Sequence, residues 1–156
     1  YKDSELIGWL SALHVPVKEN GRIFDLMRLC ESSYYHPEMN GRVGLKFVLK
    51  AIWQNTEKLW GDPWFSEYFK KDAHGKVLDP YMSLSAEPFA YSSERTGLEL
   101  EVVREGVGAM RTYQEMLYGQ HRGDKQFEKV QRELLLQYCK LDTAAMVIIW
   151  KYWSSL

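Results

Sequence analysis

The sequence predicts a mainly α fold with one or two short strands, and three observations carry that expectation. Residues 127–153 contain neither Gly nor Pro and hold apolar residues at helical spacing, the pattern of one long amphipathic helix. Residues 4–13, 44–53 and 105–118 repeat the pattern over shorter stretches. Residues 22–25, Arg22-Ile23-Phe24-Asp25, form a short apolar run of the kind that makes a buried strand.

Taken in order, the first helix has Asp3 or Ser4 as N-cap and sets Leu6, Ile7, Leu10 and Leu13 on one face. Val15-Pro16-Val17 breaks it, and Asn20-Gly21 marks a turn. The run that follows has two readings: a strand ending in Asp25, or the start of a short helix through Leu29. Tyr34-Tyr35-His36-Pro37 and Asn40-Gly41 read as loop. In residues 44–53, Leu45, Val48, Leu49 and Ile52 make the apolar stripe, with Lys46 and Lys50 outside it. In residues 105–118, Val107, Met110, Tyr113, Met116 and Leu117 are expected to point inward.

Between these helices, residues 54–98 lose all periodicity and are interrupted by Gly61, Pro63, Gly75, Pro80 and Pro88. Only residues 63–71 look helical there. Trp60, Trp64, Phe65, Tyr68, Phe69, Tyr81, Phe89 and Tyr91 argue against disorder and for an aromatic-rich irregular insertion. Such aromatics serve either a core or the stacking of unpaired bases.

Composition narrows the function classes. At 156 residues, with 46% hydrophobic and 26% charged residues, the chain is one domain's worth of ordinary globular sequence. Its net charge of −1 excludes capture of nucleic acid by a uniformly basic surface. Cys30 and Cys139 offer neither zinc spacing nor a disulfide framework, and no apolar run is long enough for a membrane span. A reducing, cytoplasmic compartment is the expectation. The opening Tyr1-Lys2-Asp3-Ser4, without an initiator Met, reads as the start of a piece of a longer protein.

The long helix holds the feature that points to chemistry. At about 100° per residue, Glu133, Gln137, Lys140, Ala144 and Lys151 form a solvent stripe. Asp142 falls roughly opposite, among Leu135, Tyr138, Met146, Ile149 and Trp153. A carboxylate on an apolar face must be paired, hydrogen-bonded or bound to a cation. Tyr138 lies one turn before it on the same face.

The segment 134–147, Leu-Leu-Leu-Gln-Tyr-Cys-Lys-Leu-Asp-Thr-Ala-Ala-Met-Val, resembles the last motif of a bacterial family known as domain of unknown function twenty-seven seventy-nine. That family is itself similar to the tyrosine-type DEDD 3′–5′ exonucleases of the ribonuclease H-like fold. Three further segments match in order: residues 22–26, residues 34–49 from Tyr34-Tyr35-His36-Pro37 through Leu45-Lys46-Phe47-Val48-Leu49, and residues 105–110 with Tyr113. The resemblance covers most of the chain except the aromatic middle.

It implies that residues 1–156 are the C-terminal portion of an α/β ribonuclease H-like domain, a single partial domain completed by an N-terminal part. Its activity would be metal-dependent hydrolysis at nucleic-acid ends, DNA or RNA, with two Mg²⁺ or Mn²⁺ ions held by four acidic residues. Asp142 matches the last of those metal ligands, and Tyr138 matches the tyrosine that orients the attacking water. The first acidic pair, Asp-x-Glu on a strand, and the next acid should precede Asp25, and residues 1–21 do not offer them. This chain alone is therefore expected to be inactive. An incomplete sheet would also expose an edge, making self-association an expectation.

Two further residues form a second tier. Asp25 is either a residue near the cleft or a cap for the following helix. Lys46, with Arg42 and Lys50, is either a contact for a nucleic-acid backbone or part of a solvated helix face. His36 reads as a loop histidine. The alternative to the nuclease is a non-catalytic nuclease-like module that binds a partner through its aromatic middle.

Overall fold

A computed structural model describes residues 3–13, 23–85 and 103–156. The chain forms two compact units, Tyr1–Tyr35 and His36–Leu156. Helices dominate the described residues, as the periodicity predicts. Their β pairing is limited to an isolated antiparallel bridge, Lys71 to Val77.

The first unit carries α1, Ser4–Leu13, and α2, Leu26–Ser33. The Asp3 carboxylate accepts from the N–H groups of Glu5 and Leu6, each at 3.1 Å, and so starts α1. The stripe of Leu6, Ile7 and Leu10 stays exposed. The expected strand is corrected here. Arg22 lies outside the described residues, and Ile23 to Asp25 do not form a strand. Asp25 instead caps α2, accepting from Met27 N–H at 3.0 Å and Arg28 N–H at 3.3 Å. An extended cap residue and a strand end look alike in one dimension, and the helix's orphan N–H groups decide between them.

The second unit carries α3, Leu45–Gln54; α4, Pro80–Ser83; α5, Gly106–Tyr118; and α6, Lys125–Trp153. Asp124 opens α6 by accepting from Gln126 N–H at 2.9 Å and Phe127 N–H at 3.1 Å. The helix buries Phe127, Val130, Leu134, Tyr138, Leu141, Ala145, Ile148 and Ile149, spaced mostly by three and four residues. Val48, Leu49, Ala51, Ile52 and Trp53 of α3 are buried too, and α3 and α5 both pack on α6.

Two expectations fail in this unit. Residues 63–71 contain only a short 3₁₀ turn, Ser66–Tyr68, with Phe65 and Tyr68 buried. On α5, Val107, Met110, Tyr113 and Leu117 are exposed rather than inward, and the less exposed side carries Gly108, Ala109, Thr112 and Met116. Cys139 is exposed, whereas Cys30 of the first unit is buried.

The irregular middle is tied to α6 by side chains. Lys151 pairs with Asp62, Lys140 pairs with Glu67 at 2.8 Å, and Lys58 Nζ donates to Ser155 Oγ at 2.7 Å. Trp60 stacks on Phe69 with ring centroids 5.0 Å apart, and its Nε1 donates to the Trp53 carbonyl at 2.7 Å. These aromatics therefore serve packing, while Trp64 stays exposed and Phe89 and Tyr91 lie outside the described residues. No helix among the described residues is long and apolar enough to cross a membrane.

The Asp62 pair yields a pH prediction. Hydrogen bonding from Lys151, then from the Trp64 N–H, holds the Asp62 carboxyl below its ordinary value of 3.8. The unfolded chain then takes up this proton first as pH falls. The stabilisation is present above 3.8 and is lost as pH drops through the lower folded value. Denaturant titrations of Asp62→Asn are expected to show a flatter acid limb than the unmodified chain; identical limbs would contradict the pairing.

Candidate functional site: a tyrosine–aspartate cleft

The buried face of α6 is centred on Leu134, Leu141 and Ile148, each at most 1% exposed. Asp142 and Lys140 lie one step to either side of Leu141, roughly 100° in opposite senses. Asp142 is thus at the margin of the apolar face, half-buried, rather than in its middle. Tyr138, 7% exposed, lies on the same margin. Lys140 and Lys151 are exposed, as the stripe predicts, but Glu133, Gln137 and Ala144 of the same stripe are half-buried.

The margin opens onto a cleft of about 360 Å³ lined by Gly44, Leu45, Lys46 and Phe47 from the start of α3, Tyr81 from α4, and Tyr138 and Asp142. Local chemistry places Tyr81. Asp79 caps α4 by accepting from Tyr81 N–H at 2.9 Å, and Pro80 supplies a first helical residue that needs no N–H partner. The Tyr81 ring is 3% exposed and lies 6.1 Å from the Tyr138 ring at a tilt of 50°. Its Oη donates to Asp142 Oδ1 at 2.5 Å, a short charge-assisted bond.

Lys46 completes the group. Its Nζ stands 4.6 Å from the Tyr81 ring centroid and 5.3 Å from that of Tyr138, where the ring faces attract a cation. It also donates to the Arg104 carbonyl, just ahead of α5. Lys46 is therefore half-buried against aromatic rings and not on a solvated face, a correction to the periodicity reading. Gly106 borders the Tyr138 hydroxyl, since a Cβ there would stand 4.0 Å from it.

Electrostatics keep both phenols protonated. Burial first, then the hydrogen bond to Asp142 and its charge, push the Tyr81 hydroxyl far above its ordinary value. Burial and the Asp142 charge push Tyr138 up to about 12. Burial also raises the Asp79 carboxyl, against its bond from Tyr81 N–H and the charges of Lys50 and Lys46. Folding thus strengthens proton binding by the tyrosines, so their contribution is whole below the ordinary 10.0 and is lost as pH rises through the folded values. Phenolate absorbance of Asp142→Asn is expected to show Tyr138 titrating below the unmodified chain's value of about 12, though still above 10.0. An unmoved curve would mean that Asp142 does not act on Tyr138.

Of the residues singled out by sequence, Tyr138, Asp142 and Lys46 meet in this cleft. Asp25 belongs to the other unit, where it caps α2. Tyr81 was missed. Asp79-Pro80 is a legible helix start, but nothing local links position 81 to position 142.

The cleft's donor set is one carboxylate, two neutral phenols and one ammonium. Hard divalent cations need several anionic oxygens, and a neighbouring lysine opposes them. Among the described residues no three His, Cys, Asp or Glu side chains gather where they could hold a metal ion. These residues do not by themselves fit a two-metal centre. No protein-family model, curated protein or solved structure matches this chain.

Proposed function

We propose that this chain is the C-terminal part of a metal-dependent 3′–5′ exonuclease-like nuclease acting on the ends of DNA or RNA. The observation that carries the reading is that Tyr138 and Asp142, one turn apart on α6, line one cleft together with Lys46. In this reading Asp142 supplies one ligand for Mg²⁺ or Mn²⁺, and the acids expected upstream supply the rest. Tyr138, neutral at physiological pH, keeps its hydroxyl as a donor or acceptor for water. Lys46 adds positive charge beside the phosphate path.

The test extends the chain upstream to include the expected acidic motifs and incubates it with single-stranded DNA and RNA. Cleavage that requires Mn²⁺ is expected, and Tyr138→Phe is expected to slow it about 100-fold or more while leaving Mn²⁺ binding intact. Absence of metal-dependent cleavage would overturn the reading.

A second reading has its own support. The Tyr81 hydroxyl already satisfies one Asp142 oxygen, so no cation is needed to offset burial. That favours a non-catalytic nuclease-like module, with exposed Trp64 in its aromatic middle as a partner contact. An upstream Asp-x-Glu on a strand discriminates for the enzyme, and its absence for the module.

A further inference from the structure

A second cavity, of about 350 Å³, lies between the Lys140 side of α6, the 3₁₀ turn Ser66–Tyr68 and the end of α4. It shares no lining residue with the tyrosine–aspartate cleft. Its volume falls in the range of small-molecule sites, roughly 300–1,000 Å³. Two residues of its wall hold unsatisfied polar atoms. Tyr68 is 4% exposed, and neither its hydroxyl nor the buried Gln137 Oε1 has a hydrogen-bond partner among the described residues. Buried polar atoms are nearly always paired, so two orphans in the wall of one cavity point to something that enters it. Burial first, then the nearby Glu67, pushes the Tyr68 hydroxyl up to about 12. The Glu67 carboxylate itself pairs with Lys140 at 2.8 Å and does not meet the phenol in hydrogen-bond geometry. The phenol therefore stays protonated, a donor without an acceptor.

The charged lining decides the class of ligand. Lys140 is neutralised by Glu67, and Lys70 Nζ donates to the Ser83 carbonyl at 2.7 Å, so neither ammonium is held out for an anion. With Glu133, the wall carries two charges of each sign. The unsatisfied groups are a neutral amide and a neutral phenol, which suit a ligand with both an N–H donor and an acceptor. Leu84 and Leu136 supply the apolar wall. We propose that this cavity binds a neutral heterocycle of nucleobase size, whose N–H donates to Gln137 Oε1 and whose carbonyl or ring nitrogen accepts from the Tyr68 hydroxyl. The inference does not rest on the nuclease reading. A free base and a base at the end of a strand offer the same chemistry.

The experiment titrates the 156-residue chain calorimetrically with adenine, cytosine and uracil, beside glucose and glycine as comparison probes. Saturable binding of at least one base is expected, with a Kd of about 1 mM or tighter. Tyr68→Phe and Gln137→Leu should each weaken it about 5–10-fold, the worth of one hydrogen bond. Without ligand, Tyr68→Phe should melt at or above the temperature of the unmodified chain, because it removes only an unpaired buried hydroxyl. A short single-stranded oligonucleotide separates the two sources. Displacement of the bound base assigns the site to a strand end, and failure to displace it assigns the site to a free heterocycle. Absence of saturable binding by all three bases would overturn the inference, as would glucose or glycine binding in their place. So would base binding indifferent to both substitutions, or a Tyr68→Phe protein that melts well below the unmodified chain.

Discussion

Trp53→Ala is expected to destabilise the chain by about 3–5 kcal/mol, the usual cost of emptying a buried tryptophan site. Trp53 is 0% exposed on α3 and sits among the largest fully buried side chains. Its own Nε1 is buried and finds no hydrogen-bond partner among the described residues, so truncation removes no hydrogen bond made there. The effect should accordingly lie toward the lower end of that range. For a domain of this size it corresponds to a fall in melting temperature of roughly 10 °C. Because the start of α3 lines the cleft, the same variant should loosen Lys46 from the tyrosine rings. Thermal unfolding followed by circular dichroism checks it; an unchanged midpoint would show that α3 is not the centre of the core.

Asp142→Asn should separate function from folding. Asparagine keeps the size and can still accept from the Tyr81 hydroxyl, but the bond loses its charge assistance. A stability loss of about 1 kcal/mol follows from that difference. Under the proposed nuclease reading, cleavage by the extended chain should instead fall to background, because in that reading the variant removes a negative ligand. A folded, inactive Asp142→Asn protein is the expected result, measured by melting temperature and by nuclease assay in parallel. If Asp142 were only a buried polar residue held by Tyr81, stability would move and cleavage would not.

What the sequence made legible is mostly local. Apolar spacing located α3, α5 and α6, and Asp3 marked the start of α1 through its side-chain bonds to nearby N–H groups. Tyr138 and Asp142 were legible as a same-face pair because helical geometry fixes their relation within one turn. The side of α5 that packs was not. Its less exposed residues, Gly108, Ala109 and Thr112, are small enough for close helix approach, so its larger apolar side chains face outward and invert the usual pattern.

Lys46 was misread for a related reason. A lysine off the apolar stripe looks solvated, yet its stem can lie along aromatic rings while its ammonium meets a carbonyl. Tyr81 lay beyond sequence reasoning altogether, since it meets Asp142 across 61 residues. The short strand failed because a strand needs a partner, and an N-cap aspartate satisfies its own helix without one.

The most direct measurement sets the 156-residue chain beside the same chain extended upstream, each with single-stranded DNA and RNA in Mn²⁺. One carboxylate in the cleft does not hold two divalent ions, so cleavage is expected from the extended chain and none from the 156 residues alone. Robust cleavage by the purified 156-residue chain, or an extended Asp142→Asn protein as active as its parent, would contradict the account.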